Sequence, residues 1–486
     1  MRVKTVQINW HDKLPIFSVD FDHSYRGPGW RFATGGGDNN VRVWRLRAPP
    51  QPQSDGSSDG QPPKIDFLAG LNRHAAPVNV VRFSPQGSRL ASAGDDGVII
   101  IWRQIDGQPA AAGDAAAPGE AAGAASQQAA AAAAPEARGG NVAGEDEGEE
   151  TWRAAAVLRG SLADICDLAW SPDGAYLASA SVDNTARIWD ARAARCVQVL
   201  ADHTHYVQGV AWDPLAQFIA TQSSDRSLRI YQWTAGSGLG EVRPGTDVAR
   251  LAATHRSAPL PTAATSVAAE PATTAEAAPE PARQARLFHD DNLASFFRRP
   301  SISPDGRLLA TAGGVHRGGN ACHVWARDRL RQAPALRLPG LQRPVVAARW
   351  APCEFDAPSA WAAGARRMVL AVASQSEVAV YDTACGSRAV GLMDGLHYAA
   401  ITDMAWSADG SRLVVVSVDG FATVASLDHP APALPLPARH DAPPPPPPQS
   451  QPQPPADSLP HRPAAGGPAS APDGRRRLAP TLVGSL

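Results

Sequence analysis

An all-β chain, a propeller of seven repeated blades, is what this sequence predicts, and three observations predict it. Between Leu158 and Asp190, three short β-prone runs (165–170, 176–180 and 185–189) are separated by Ser-Pro-Asp-Gly (Ser171 to Gly174) and Val-Asp-Asn (Val182 to Asn184). Both separators are turn chemistry, because Pro presets φ, Gly accepts positive φ, and Asp or Asn bonds its own backbone two residues on. A fixed interval then repeats: a Ser or Thr, an Asp four residues later and an aromatic six after that. It occurs as Thr34, Asp38, Trp44; Ser92, Asp96, Trp102; Ser179, Asp183, Trp189; and Thr221, Asp225, Tyr231. Finally, a His stands twenty-two residues ahead of the Asp in three copies: His74 before Asp96, His203 before Asp225, His397 before Asp419. Regular recurrence of this kind is the mark of stacked, blade-like units.

The closing Trp189-Asp190 is the dipeptide that names WD repeats, which these copies resemble. The resemblance implies a structural tetrad in which a loop His, a strand Ser or Thr, a turn Asp and a Trp indole N–H bond one another. Blade three carries Ser161 where the His is expected, and blade seven lacks the aromatic. A network short of one member is weaker, since a buried polar group then needs another partner.

Taken in order, residues 3 to 9 alternate apolar and polar and are expected to pair into the last blade, closing the ring and removing open sheet edges. Blade one runs from Ile16 to Leu46 and blade two from His74 to Gln104. Blade three is the repeat described above, blade four is His203 to Trp233, and blade five spans about 287 to 327. Blade six is Arg343 to Thr383, with the tetrad positions lost, and blade seven is Leu396 to Leu427. The propeller thus occupies 1–429, with insertions at about 48–63, 106–150 and 234–285 whose Pro, Gly, Ser and Ala content is that of unordered chain. A Pro-rich tether covers 430–472, and a short linear motif fills 473–486.

Composition excludes several functions. Net charge is −2 at pH 7, which argues against a broadly basic nucleic-acid surface, so no direct DNA binding is expected. There is no apolar run of transmembrane length and no signal-peptide h-region, which points to the cytosol or nucleus and away from membranes. The five cysteines are scattered and form no CxxC pair, so neither a disulfide framework, a metal site nor a cofactor is expected. Ser, His and Asp recur together, yet catalysis needs one constellation, whereas equivalent sets at equal spacing are what a repeated fold needs. No enzyme is expected.

Three features remain open to a binding reading. Trp189-Asp190-Ala191-Arg192 matches a WDxR pattern resembling substrate receptors of cullin-type ubiquitin ligases, against the plainer reading of a strand end followed by a turn. The acidic run Glu145, Asp146, Glu147, Glu149, Glu150 is either a contact for basic histone tails or a solvated loop. At the carboxy terminus Arg475, Arg476, Arg477, Leu478 and Pro480 lie in a basic cluster that leads into a β-prone apolar segment. That is the build of a peptide adding a strand to a partner's sheet edge.

Four stretches together, INWHDKLPIFSVDF, VNVVRFSP, the pair SASVDNTARIWD and YVQGVAWDPL, and FHDDNLASFFRR, resemble the middle, WD-repeat subunit of chromatin assembly factor one. The sister Hir-type histone regulators share the first three. The resemblance implies a non-enzymatic nuclear scaffold that joins the large and small subunits of that complex in depositing histones three and four. It also implies that the terminal motif docks on the anti-silencing histone chaperone through the arginines, Leu478 and Pro480. Phe288, Phe296, Phe297, Arg298 and Arg299, in the stretch that separates the two families, are the candidate contact for the large subunit.

Overall fold

The computed structural model describes residues 2–48, 63–105, 148–161, 163–234, 248–259, 284–293, 295–356 and 366–427. The expected tether and terminal motif fall outside the described residues. Seven four-stranded antiparallel sheets form the blades, and in the first six the strands follow one another from the centre outward. Blade one is Ile16–Phe21, Trp30–Gly36, Val41–Leu46 and Ile65–Leu71, and blade two is Val78–Phe83, Arg89–Gly94, Ile99–Gln104 and Trp152–Leu158. Their outer strands lie beyond the two insertions, so each insertion joins a blade's third strand to its fourth.

The same holds in blade four, whose strands are Val207–Trp212, Phe218–Ser223, Leu228–Trp233 and Ala249–His255. This corrects the sequence expectation that 234–285 is wholly unordered. Ala249–His255 has little β-branched character of its own, and its order comes from pairing along Leu228–Trp233. A further pair, Ser257–Pro259 with Gln284–Arg286, extends from it.

The ring closes as the alternation of the first residues predicts. Arg2–Val6 pairs antiparallel with Ala422–Ser426, from Arg2 opposite Ser426 to Val6 opposite Ala422, as the outer strand of the seventh blade. The strand stops at Val6 rather than continuing to residue 9. There the chain turns so that the buried Trp10 indole donates to the Val6 carbonyl (3.1 Å) and packs edge-on against Trp44.

Seven apolar clusters, one at each blade-to-blade interface, make the core among the described residues. The turns between second and inner strands follow their sequence. Ser171 Oγ accepts from the Tyr176 N–H (2.9 Å), Asp173 accepts from the Ala175 N–H (3.0 Å), and Gly174 sits at φ 66°, which a side chain resists.

One irregularity recurs at the centre. In six blades the innermost strand carries a β-bulge that skips its second residue, namely Phe17, Asn79, Cys166, Gln208, Val346 and Thr402. A bulge leaves the skipped residue outside the ladder. Six main-chain carbonyls therefore need partners in the middle of the ring.

Candidate functional site

Two polar systems stand out, one repeated around the blades and one unique to the channel. In blade two His74 Nδ1 lies 2.7 Å from Asp96, His74 Nε2 lies 2.7 Å from Ser92 Oγ, and Trp102 Nε1 donates to the same Oγ at 2.8 Å. Since the indole can only donate, Ser92 passes its own proton to Nε2, which leaves Nδ1–H to donate to Asp96. The Asp also accepts from the Ala75 and Val98 N–H groups. Burial alone would raise its carboxyl, but these donors hold it below the ordinary carboxylate value. The Ser–His–Asp geometry resembles a hydrolase triad, yet Ser92 is fully buried and meets no solvent. It anchors a loop and a turn.

Blade one holds an equivalent set that the twenty-two-residue interval misses. His11 Nδ1 lies 2.6 Å from Asp38, Nε2 lies 2.8 Å from Thr34, and Trp44 donates to Thr34 (2.8 Å), with the His twenty-seven residues before the Asp. Blade four keeps His203 with Asp225 (3.0 Å) and Thr221 (2.7 Å), but the Tyr231 hydroxyl donates to Asp202 instead of joining them. In blade three Arg187 takes the missing imidazole's place on Asp183 (2.6 Å), while Trp189 still donates to Ser179 (2.9 Å). Blade seven retains only His397 with Asp419 (3.1 Å).

The channel is filled by the stretch expected to contact another subunit. Gln208 O accepts from the Arg298 N–H (3.1 Å), and Val346 O accepts from the Arg299 N–H (3.0 Å). The Arg299 guanidinium donates to Phe17 O (2.9 Å), Thr402 O (3.1 Å), Asn79 O (2.7 Å) and Cys166 O (3.5 Å). All six carbonyls freed by the bulges are thus met by two consecutive arginines that lead into the seventh inner strand. Gly209 lets that segment in, because a Cβ there would stand 1.9 Å from Arg298 O.

Charge is balanced at the same place. Asp403 receives Arg299 (2.9 Å), Arg82 (3.0 Å) and Arg349 (2.9 Å), with Ser18 and the Met404 N–H completing its shell. Burial would raise this carboxyl, but the three guanidiniums outweigh it and hold it well below the carboxylate range. Arg82 also bridges to Asp167 (2.9 Å). Burial pulls Arg299 down to about 10 against the pull of Asp403 and Asp167, so it stays cationic at neutral pH. The Phe297 ring lies under its guanidinium at 4.0 Å.

These placements correct the expected subunit contact. Arg298 and Arg299 are fully buried, and Arg298 is spent on the carbonyls of His289 (2.7 Å) and Asp290. Phe288 packs on Trp325 between blades four and five, and Phe297 is buried in the channel; only Phe296 is half-buried. Channel residues missed from sequence are Arg82, Asp167, Arg349 and Asp403. The available signal was a charge inside an apolar inner strand, as in ICDLAW and ITDMAW.

Of the remaining features, Trp189 is buried, and Asp190 accepts from the Arg192 (3.0 Å) and Ala193 (2.9 Å) N–H groups as a strand-end turn does. Glu149 and Glu150, the described part of the acidic run, pair with Arg45 (2.9 Å) and Arg31 (3.1 Å). The five cysteines are free, and among the described residues no three His, Cys, Asp or Glu side chains are grouped to hold a metal ion.

Comparison with known proteins bears on this architecture directly. The family model described as the CAF1B/HIR1 beta-propeller domain matches residues 1–120, 127–246 and 250–430. The B-type chromatin assembly factor 1 subunit of Gallus gallus is 36% identical over 90% of this chain and 69% of its own length. Its counterpart from Saccharomyces cerevisiae is 34% identical over 88% of this chain and 86% of its own. Protein HIRA of Oryza sativa is 30% identical over 84% of this chain and 36% of its own.

Proposed function

Because the chain belongs to the CAF1B/HIR1 β-propeller family, we propose that it is the propeller subunit of a chromatin assembly factor 1 complex, a histone chaperone acting in nucleosome assembly. The observation that carries this is the extent of the match to chromatin assembly factor 1 proteins of an animal and a fungus, which spans nearly the whole chain. The chain then works as a non-catalytic scaffold in the nucleus, holding the large and small subunits while histones three and four are delivered. A Hir-type subunit is the second reading, favoured by a family model that covers both groups.

Within this function Arg475 to Val483 adds a strand to the anti-silencing histone chaperone. In an extended segment Arg476 and Leu478 share one face while Arg477 and Ala479 share the other, and Pro480 ends the pairing because it lacks an N–H. Affinity purification of the tagged chain tests both levels. Recovery of the two other subunits of chromatin assembly factor 1 supports the scaffold, and recovery of Hir-complex subunits alone overturns it. Deleting 474–486 is expected to remove the anti-silencing chaperone alone.

A further inference from the structure

A groove of about 330 Å³ opens between the outer strands of blades one and two, bordered by Gly70, Asn72 and Arg73 on one side and Trp152 and Arg153 on the other. Arg103 stands directly opposite Arg153 across the strand pair. Like charges placed opposite one another repel, and none of the three arginines is hydrogen-bonded or ion-paired to another described residue. Elsewhere the fold is thrifty with arginine, matching Arg31, Arg45, Arg82 and Arg349 to carboxylates. This cluster is a surplus.

The same edge already shows how an acidic segment is received. The Glu150 N–H donates to Leu68 O of the outer strand (2.9 Å), and the Glu149 and Glu150 carboxylates pair with Arg45 and Arg31. Main-chain pairing to a free strand edge plus carboxylate on guanidinium is the pattern of strand addition by an acidic peptide. We infer that the groove beside this seat takes an extended, Glu/Asp-rich segment of a partner protein, with Arg73 and Arg153 clamping its carboxylates. Charge complementarity and continuity with the Glu149–Glu150 seat select this occupant.

Fluorescence anisotropy of a labelled eight-residue Glu/Asp peptide against the full chain tests it. Saturable, salt-sensitive binding is expected, weakened about tenfold or more by Arg73→Glu with Arg153→Glu, whose exposed positions leave the melting temperature unchanged, and untouched by Arg307→Glu on the opposite side of the ring. Equal binding by the double variant overturns the site. A short DNA duplex that binds more tightly and is lost in the same variant overturns the peptide in favour of a phosphate backbone. If the intact chain binds nothing and replacing Glu145, Asp146 and Glu147 by Ala restores binding, the occupant is the chain's own acidic run and the partner docking is wrong.

Discussion

Blades two and five need the same thing, an inner strand and its flanking turns held in register, and they obtain it from opposite ends. Blade two uses a network at its own turns, His74, Ser92, Asp96 and Trp102, all supplied within one repeat. Blade five has no such set: Thr311 donates to the His323 carbonyl, and its inner strand is only Ser301–Ile302. What it contributes instead is Arg298–Arg299, whose partners come from the six other blades. A local network fails locally, whereas a shared one should be felt around the ring.

The strongest way to sharpen this contrast is Arg299→Ala. Removing the cation leaves Asp403 and Asp167 buried with less compensation and reopens four carbonyls, and breaking a buried pair from one side costs about 3 to 5 kcal/mol. Thermal unfolding should show the largest loss of any single substitution here, and a fall no greater than that of a tetrad variant would break the comparison. Gly209→Ala attacks the same segment sterically through the 1.9 Å approach to Arg298 O. Overpacking of this kind costs roughly 1 to 3 kcal/mol, read by chemical denaturation.

Acid should separate the two blades as well. Burial brings His323 of blade five down to about 4, with only the Leu287 carbonyl (2.9 Å) as a partner and no carboxylate. Since its folded value lies below the unfolded one near 6.5, the unfolded chain binds the extra proton. Stability from this residue is present above about pH 6.5 and falls as pH drops toward 4, by up to roughly 3 kcal/mol. Melting temperatures between pH 7 and 5 should decline less steeply in His323→Gln, and an unchanged slope counts against the account.

Asp96→Ala strands His74 Nδ1–H and two main-chain donors and should cost about 1 to 3 kcal/mol, against less than about 0.5 for the exposed, non-network Asp328→Ala. Paired thermal melts of the two variants check this, and equal melting temperatures would remove the tetrad from the comparison. Smallest of all, Ser161→His should return an imidazole to blade three and gain about 0.5 to 1.5 kcal/mol as it competes with Arg187 for Asp183.

The comparison also explains what could be read from the chain before its structure. Blade two was legible because every partner lies at a fixed separation along the sequence. His11 escaped because the loop between it and its blade is five residues longer, although its contacts are the same. FHDDNLASFFRR was recognisable as distinctive, but its role was not. Aromatic and arginine content suggests an interface, and the partners that bury it are scattered from Phe17 to Asp403 with no periodic relation to it. The outer strand Ala249–His255 was invisible for a related reason, since its order resides in the neighbour it pairs with.

Hydrogen exchange on Arg299→Lys tests the central claim most directly, because the lysine keeps the charge and loses the fork that reaches four carbonyls at once. The account predicts faster exchange in Ile16–Phe21, Val78–Phe83, Ile165–Trp170 and Ile401–Trp406 together, the four strands that this guanidinium reaches across the channel. Faster exchange confined to blade five would contradict it.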